Sequence, residues 1–542
     1  MKFNETIGKG ARLAVMAGLS ATLALGGVVA PVTVAFAATN ATITVNSPSG
    51  VTLAGKYKVY QLFTGDYANG GSAMSNAVAN TAFRAQVVAA LTATGADYKP
   101  AVNATDADLL DKVVAVGKAS LTQTFAGNLA KELAKAGAPA ATSTVDITNG
   151  SASYTGETGY YLLVSDTDNL GENESATSAI LVPLGNAGKT VTSKAKTPTL
   201  EKKIKDNEGT WDGSYKDSAD AGLVGNKPIA PTYQLTGTLP ANIDEYKTYV
   251  YKFVDTMPKG FTTNADEVTN QWNVSVKING TDLTSAFTAT VSTDGRTVTW
   301  ATDDLKAAAK TAGFTGDLAS AKVVLEYTPV YDSADVEAIY GHTSTITDPQ
   351  INSANLEFSN NPYSQGQGET GKTPEDETYL YSFNLNVNKV DDKKQPLAGA
   401  EFTLTNDKGE VVGKNITTGN APTTFTFTGL ESEVEYTLTE TKTPAGMKTI
   451  KPVKFTLAVE KDSTTGKVTG IKVDNKVIEG NSAKLEVSAT DKGTLDATVV
   501  NVPGDELPGT GAAGITAGVV LGGALITVSA VKIARDRKAD SK

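Results

Sequence analysis

Three polar residues in the C-terminal third of the chain fall where a β-strand should point an apolar side chain inward. On a strand, residues two apart share a face. Phe383, Leu385 and Val387 set one apolar face, and Lys389 continues it. Tyr436 and Leu438 set a second face that Glu440 shares, and Leu495, Ala497 and Val499 set a third that runs on to Asn501. Buried polar groups find hydrogen-bonding partners, so a bonded cluster is one reading. Reaction is the other. Desolvation lowers the pKa of a lysine and raises that of a glutamate. A neutral Lys389 amine can attack the Asn501 carboxamide while protonated Glu440 polarises its carbonyl, leaving a lysine-to-asparagine amide and free ammonia.

The pattern repeats earlier with different residues. Leu200, Lys202 and Ile204 share a face; Tyr249, Tyr251, Phe253 and Asp255 share another; Ala354, Leu356, Phe358 and Asn360 share a third. This spacing predicts Lys202 bonded to Asn360, with Asp255 as the acid. Lys203 and Asn361 are adjacent rivals, because a one-residue slip in register exchanges the two faces of a strand. An ordinary surface lysine is the plain alternative. No comparable triplet stands in the first 196 residues.

These residues need sheets to position them, and the patterning supplies sheets. Thr42 to Phe63 alternates and is rich in Val, Thr and Tyr. Between Asn76 and Ala136, Val87, Val88, Leu91, Leu109, Leu110, Val113 and Leu133 recur at helical spacing, with Gly95 and Gly137 as stops. Strand patterns return after Thr144, in Gly159 to Val164 and Ala179 to Pro183. The expected class is mainly β, in tandem sandwich domains, the first with a helical insertion. The expected bounds are 38–196 for the first domain, 197–363 for the second and 379–503 for the third, with the Gly-, Gln- and Glu-rich stretch 364–378 as a linker.

Both ends read as processing signals. Lys2, Lys9 and Arg12 precede an apolar segment, and Ala35, Phe36, Ala37 fit a small-x-small cleavage site, so residues 1–37 are expected to be a signal peptide, with an uncleaved anchor as the alternative. At the other end, Leu507, Pro508, Gly509, Thr510 and Gly511 precede an apolar run over 512–534, long enough as a helix to span a bilayer, and a basic tail over 535–542. Run and tail alone describe a plain membrane anchor.

Composition narrows the function. There is no cysteine, so a secreted chain must resist denaturation without disulfides. The 59 acidic against 48 basic side chains, with no basic cluster outside the two ends, leave nucleic-acid binding unsupported. A single histidine, His342, leaves no zinc site, and no nucleophile elbow or phosphate-binding loop is present. No cofactor is expected, and the only chemistry is directed at the chain itself.

The pentapeptide with its helix and tail resembles the LPxTG sorting signal of Gram-positive surface proteins, which implies attack by a sortase cysteine at the Thr510 carbonyl. Tyr436, Thr437, Leu438, Thr439, Glu440 and Thr441, with Pro444 and Gly446 following, resemble the E-box of pilins; Met447 stands where an aromatic is usual. Residues 379–503 look like a collagen-adhesin B-type immunoglobulin-like domain, the tandem domains together resembling the collagen-adhesin A/B-type fold, and Asp255 to Gly260 resemble the family's acid-bearing strand end. Nearly the whole chain resembles the major shaft subunits of sortase-assembled pili, fimbrial proteins that form internal isopeptide bonds. The resemblance implies polymerisation by a pilus sortase, wall attachment to peptidoglycan by a housekeeping sortase, and a surface pilus as the location. It implies partners in further copies of the chain, a minor tip pilin and a host glycan or matrix ligand. It also implies an acceptor lysine, in a Val-Tyr-Pro-Lys pattern before the second domain. Here the stretch is Val191, Thr192, Ser193, Lys194, Ala195, Lys196, without the Tyr-Pro. Alignment on Thr197, Pro198 and Thr199 favours Lys196, with Lys194 second. A monomeric wall-anchored adhesin and a secreted enzyme are the readings from other classes; the first needs no acceptor lysine, and the second needs a catalytic cleft outside the strand interiors.

Overall fold

Alternation of apolar and polar residues drives nearly every element. The computed structural model describes residues 40–505 and 507, except 50, 52, 68–72, 208–213, 225–226, 332–345, 347–348, 365–367, 476–482 and 489–492. The signal segment, residues 508–511 of the sorting motif, the apolar run and the basic tail lie outside the described residues, as does His342. Among the described residues no helix is long and apolar enough to cross a membrane.

The first domain packs a three-stranded sheet, with Asn40–Asn46 central, against a five-stranded sheet built around Lys56–Tyr67 and Gly159–Ser165. Its helices, Arg84–Thr94, Asp106–Lys118 and Thr122–Leu133, are inserted between the strands Met74–Ala79 and Ser143–Asp146. They bury Val87, Leu91, Leu109, Val113 and Leu133. Thr105 and Asp108 close a capping box that starts the second helix.

The second domain is a sandwich. One sheet orders Thr281–Asp282, Asn273–Ile278, Lys322–Thr328, Thr232–Thr238 and Leu200–Lys205; the other is centred on Gln350–Ser359 and Tyr251–Thr256. The expected linker is corrected here. Thr370–Lys372 pairs with Glu357 to Ser359, and Asp376–Tyr381 pairs with Gln350 to Ala354 and with Ser218–Asp220. The polar composition of this stretch reflects exposed side chains such as Glu377, while its backbone completes the second domain's sheet and Thr378 and Leu380 face the interior.

Tyr381 is followed almost at once by Phe383–Val390, the first strand of the third domain. That strand lies between Thr424–Leu430 and Thr494–Val500, the latter parallel to it, and the facing sheet orders Glu401–Thr405, Glu435–Lys442, Val453–Lys461 and Val468–Asn475. One apolar core runs unbroken through the second and third domains. At their junction Leu223 sits against Gly429, whose φ is +82°; a Cβ there would lie 2.7 Å from Leu223 Cγ, so only glycine fits both the backbone and the contact.

Two buried lysine sites

In the second domain Lys202 occupies an inward position of Leu200–Lys205 and is fully buried beside Ile204. Its ammonium donates to the Asp255 carboxylate and lies over the rings of Tyr233 and Tyr327, 5.0 and 5.6 Å from their centroids. Such faces attract a cation. Its backbone N–H donates to Asp376 Oδ2 at 2.7 Å, fastening the lysine strand to the opposite sheet. Burial lowers the pKa of Lys202 against the pull of Asp255, and burial raises that of Asp255 against the pull of Lys202. Lys203 points outward and pairs with Asp217 at 2.5 Å and Glu201 at 3.3 Å.

Asn360 is not at this site. The strands Tyr251–Thr256 and Gln350–Ser359 run antiparallel, with Tyr251 opposite Phe358 and Asp255 opposite Ala354. Moving toward Asp255 therefore means moving toward lower numbers, and Asn360 lies past the far end of the pairing. There its carbonyl accepts from Ala176 N–H of the first domain at 2.9 Å. Asn361 turns away too, its Oδ1 accepting from Tyr363 N–H at 3.0 Å. The carboxamide beside Asp255 belongs to Asn352, fully buried on the same face as Ala354, Leu356 and Phe358. Asn352 shares the parity of Ala354, Leu356 and Phe358, and the antiparallel direction of the strand places it, rather than Asn360, at the Asp255 end.

Asn352 Nδ2 donates to Tyr327 Oη at 2.8 Å and approaches Met257 Sδ at 3.6 Å. Asn352 Oδ1 and Asp255 Oδ1 are both buried without a hydrogen bond.

The third domain brings together all three residues expected of it. Lys389, Glu440 and Asn501 are buried, at 1%, 5% and 0% exposure. Lys389 is opposite Val499 in the parallel pair, and Asn501 N–H donates to Val390 O at 3.1 Å, so amine and carboxamide come from neighbouring strands of one sheet. Glu440 reaches across from the other sheet. Its Oε2 accepts from Asn501 Nδ2 at 3.1 Å and from Ile450 N–H at 3.1 Å. Lys389 Nζ donates to the carbonyls of Val390 at 2.9 Å and Val499 at 3.3 Å, and burial lowers its pKa. Glu440 Oε1 and Asn501 Oδ1 again lack a hydrogen bond.

Among the described residues of the first domain, Lys58 pairs with Asp166 at 2.9 Å and Asp168 at 2.6 Å and is part-exposed, so it matches neither site. At the junction with the second domain Lys194 is exposed, whereas Lys196 is half-buried with Nζ 3.5 Å from Ala319 O. After Asn501 the chain stays pinned, Gly504 N–H to Gly446 O at 2.8 Å and Asp505 to Lys448 at 2.6 Å, before Leu507 projects into solvent.

Residues 383–476 match the SpaA family, described as a prealbumin-like fold domain. No curated protein matches the chain. Among solved structures, the T6 backbone pilin of Streptococcus pyogenes serotype M6, described as a modular three-domain structure, is 16% identical with a TM-score of 0.51, over 86% of this chain and 99% of that one. The major pilins SpaD and SpaA of Corynebacterium diphtheriae are 18% and 13% identical, with TM-scores of 0.43 and 0.41, over 86% and 85% of this chain and 98% and 100% of theirs. The chain shares the three-domain fold of a Gram-positive backbone pilin and carries a SpaA-type prealbumin-like domain.

Proposed function

We propose that this chain is the shaft subunit of a sortase-assembled pilus and closes two internal amide bonds, Lys202 to Asn352 and Lys389 to Asn501. The observation that carries the bonds is the same at both sites. A buried lysine, acid and carboxamide meet, and the acid and the carboxamide each keep an oxygen without a partner. Such orphans are costly in a protein interior. A proton on the acid can satisfy both oxygens at once, and it leaves the carboxamide carbon electrophilic. The amine, robbed of solvent, gives up its proton more easily than in water and attacks that carbon.

Polymerisation rests on the likeness to shaft subunits and on the two ends of the transfer. The Thr510 acyl group of one copy passes to a lysine of the next, and wall attachment uses the same carbonyl. Exposure supports Lys194 over Lys196, because an acyl-enzyme must reach the amine. The intact mature chain should be lighter than its sequence by two ammonia molecules, about 17 daltons each. Incubated with pilus sortase it should form high-mass ladders that Lys194→Ala abolishes and Lys196→Ala spares. An unshifted mass removes the internal bonds, and absence of ladders leaves a monomeric adhesin instead.

A further inference from the structure

The leaving nitrogen meets different neighbours at the two sites. In the third domain Asn501 Nδ2 rests directly on the acid, 3.1 Å from Glu440 Oε2. In the second domain Asn352 Nδ2 rests on a tyrosine hydroxyl, 2.8 Å from Tyr327 Oη, while the acid's bonded oxygen is engaged by the lysine. Besides Lys202, the polar groups about Asp255 include Tyr327, Asn352 and Tyr233. We propose that Tyr327 is a catalytic residue of the second domain, carrying to the departing nitrogen the proton that Glu440 delivers directly in the third.

Tyr327 is built for a fixed position. Its ring stacks on Tyr233 and Trp272, with centroids 5.2 and 5.5 Å away, and packs on Trp300 at 5.0 Å. It stands on Lys322–Thr328, in the same sheet as the lysine. Its hydroxyl lies 3.7 Å from Met257 Sδ and also faces the Asp255 carboxylate. Sulfur accepts weakly, so the hydroxyl can turn. Burial holds its pKa well up, which keeps the group neutral between transfers.

The step balances. With one ammonium proton already moved to Asp255, the neutral Lys202 Nζ forms a bond to Asn352 Cγ and passes a further proton to Asp255 Oδ2 as the proton Asp255 held moves on to Tyr327. Tyr327 gives its proton to Nδ2 and is refilled from Asp255. The Cγ–Nδ2 bond then breaks, and ammonia leaves with three hydrogens. Asp255 and Tyr327 end as they began.

The inference rests on the Lys202 to Asn352 bond proposed above, and the test separates the two. The full chain is made by cell-free synthesis, sampled with time and digested, and the two cross-linked peptides are followed by mass. Tyr327→Phe should slow the Lys202–Asn352 cross-link about a hundredfold and leave Lys389–Asn501 at its normal rate. Tyr251→Phe removes a hydroxyl of the same domain that bonds Thr238 O, and should slow neither. An unslowed Tyr327→Phe overturns the relay alone. A missing Lys202–Asn352 peptide in the unaltered chain overturns the bond and the relay together. If Tyr327→Phe loses the near-ultraviolet signal of Trp272 and Trp300, the unaltered chain decides in mixed light and heavy water. A curved proton inventory for the second domain, beside a straight one for the third, supports two protons in flight; a straight one for both overturns it.

Discussion

The second and third domains place the same three chemical groups in different mechanical settings. Lys202 and Asn352 belong to opposite sheets, so a bond between them rivets one sheet to the other. Lys389 and Asn501 belong to neighbouring parallel strands, the first and last of their domain, with the acid alone crossing from the far sheet. A bond there would join the first strand of the domain directly to its last. The loops that the two proposed bonds would close, of about 150 and about 110 residues, are alike, and each closure would destabilise the unfolded state by about 5 kcal/mol in a chain-entropy treatment. What differs is how the amine is held before it reacts. Lys202 depends on one carboxylate and two aromatic faces, whereas Lys389 has two backbone carbonyls whatever the state of its acid.

That difference can be broken first at the acids. Asp255→Ala strands a buried lysine without a charge partner, which should cost on the order of 3 to 5 kcal/mol beyond the lost bond. Glu440→Ala should abolish its bond too, yet leave Lys389 hydrogen-bonded and the added cost smaller. Calorimetry of both variants, with mass to confirm the retained ammonia, checks this; equal melting shifts would erase the distinction.

A middling effect is expected at the carboxamides. Asn352→Ala should retain one ammonia and lose the Lys202 cross-link, and Asn360→Ala should keep both cross-links. Peptide mapping that gave the reverse would restore the pairing of Lys202 with Asn360 and discard that with Asn352.

The smallest effect comes from a buried carboxyl with no amine. Asp220, at the junction of the two domains, accepts from Ser432 N–H at 2.5 Å, and burial raises its pKa from 3.8 to about 7, with Asp206 adding repulsion. Its folded pKa is raised, so its contribution is fully present below the unfolded value and is lost as pH rises through about 7. The change is worth at most a few kcal/mol. Melting of the two C-terminal domains should drop as pH rises from about 4 to about 7. Asp220→Asn should flatten that slope, and an unchanged slope would assign it to other groups.

Sequence determined what depends on local period. Residues two apart share a face whatever the sheet around them, so Lys202, Asp255, Lys389, Glu440 and Asn501 were all legible as inward polar groups, and the helical insertion was legible from its apolar spacing. The tertiary structure decided what depends on which strand lies beside which, and in what direction. Antiparallel pairing puts Asn352 rather than Asn360 next to Asp255, and pairing with Gln350–Ser359 turns a polar stretch into the strand Asp376–Tyr381. Tyr327 could not be read at all, since a buried tyrosine in an alternating strand looks like core until a carboxamide from another sheet is set against its hydroxyl. Side-chain parity is a property of the backbone within one strand, whereas register and strand direction are fixed only by the long-range pairing and packing of the whole sandwich.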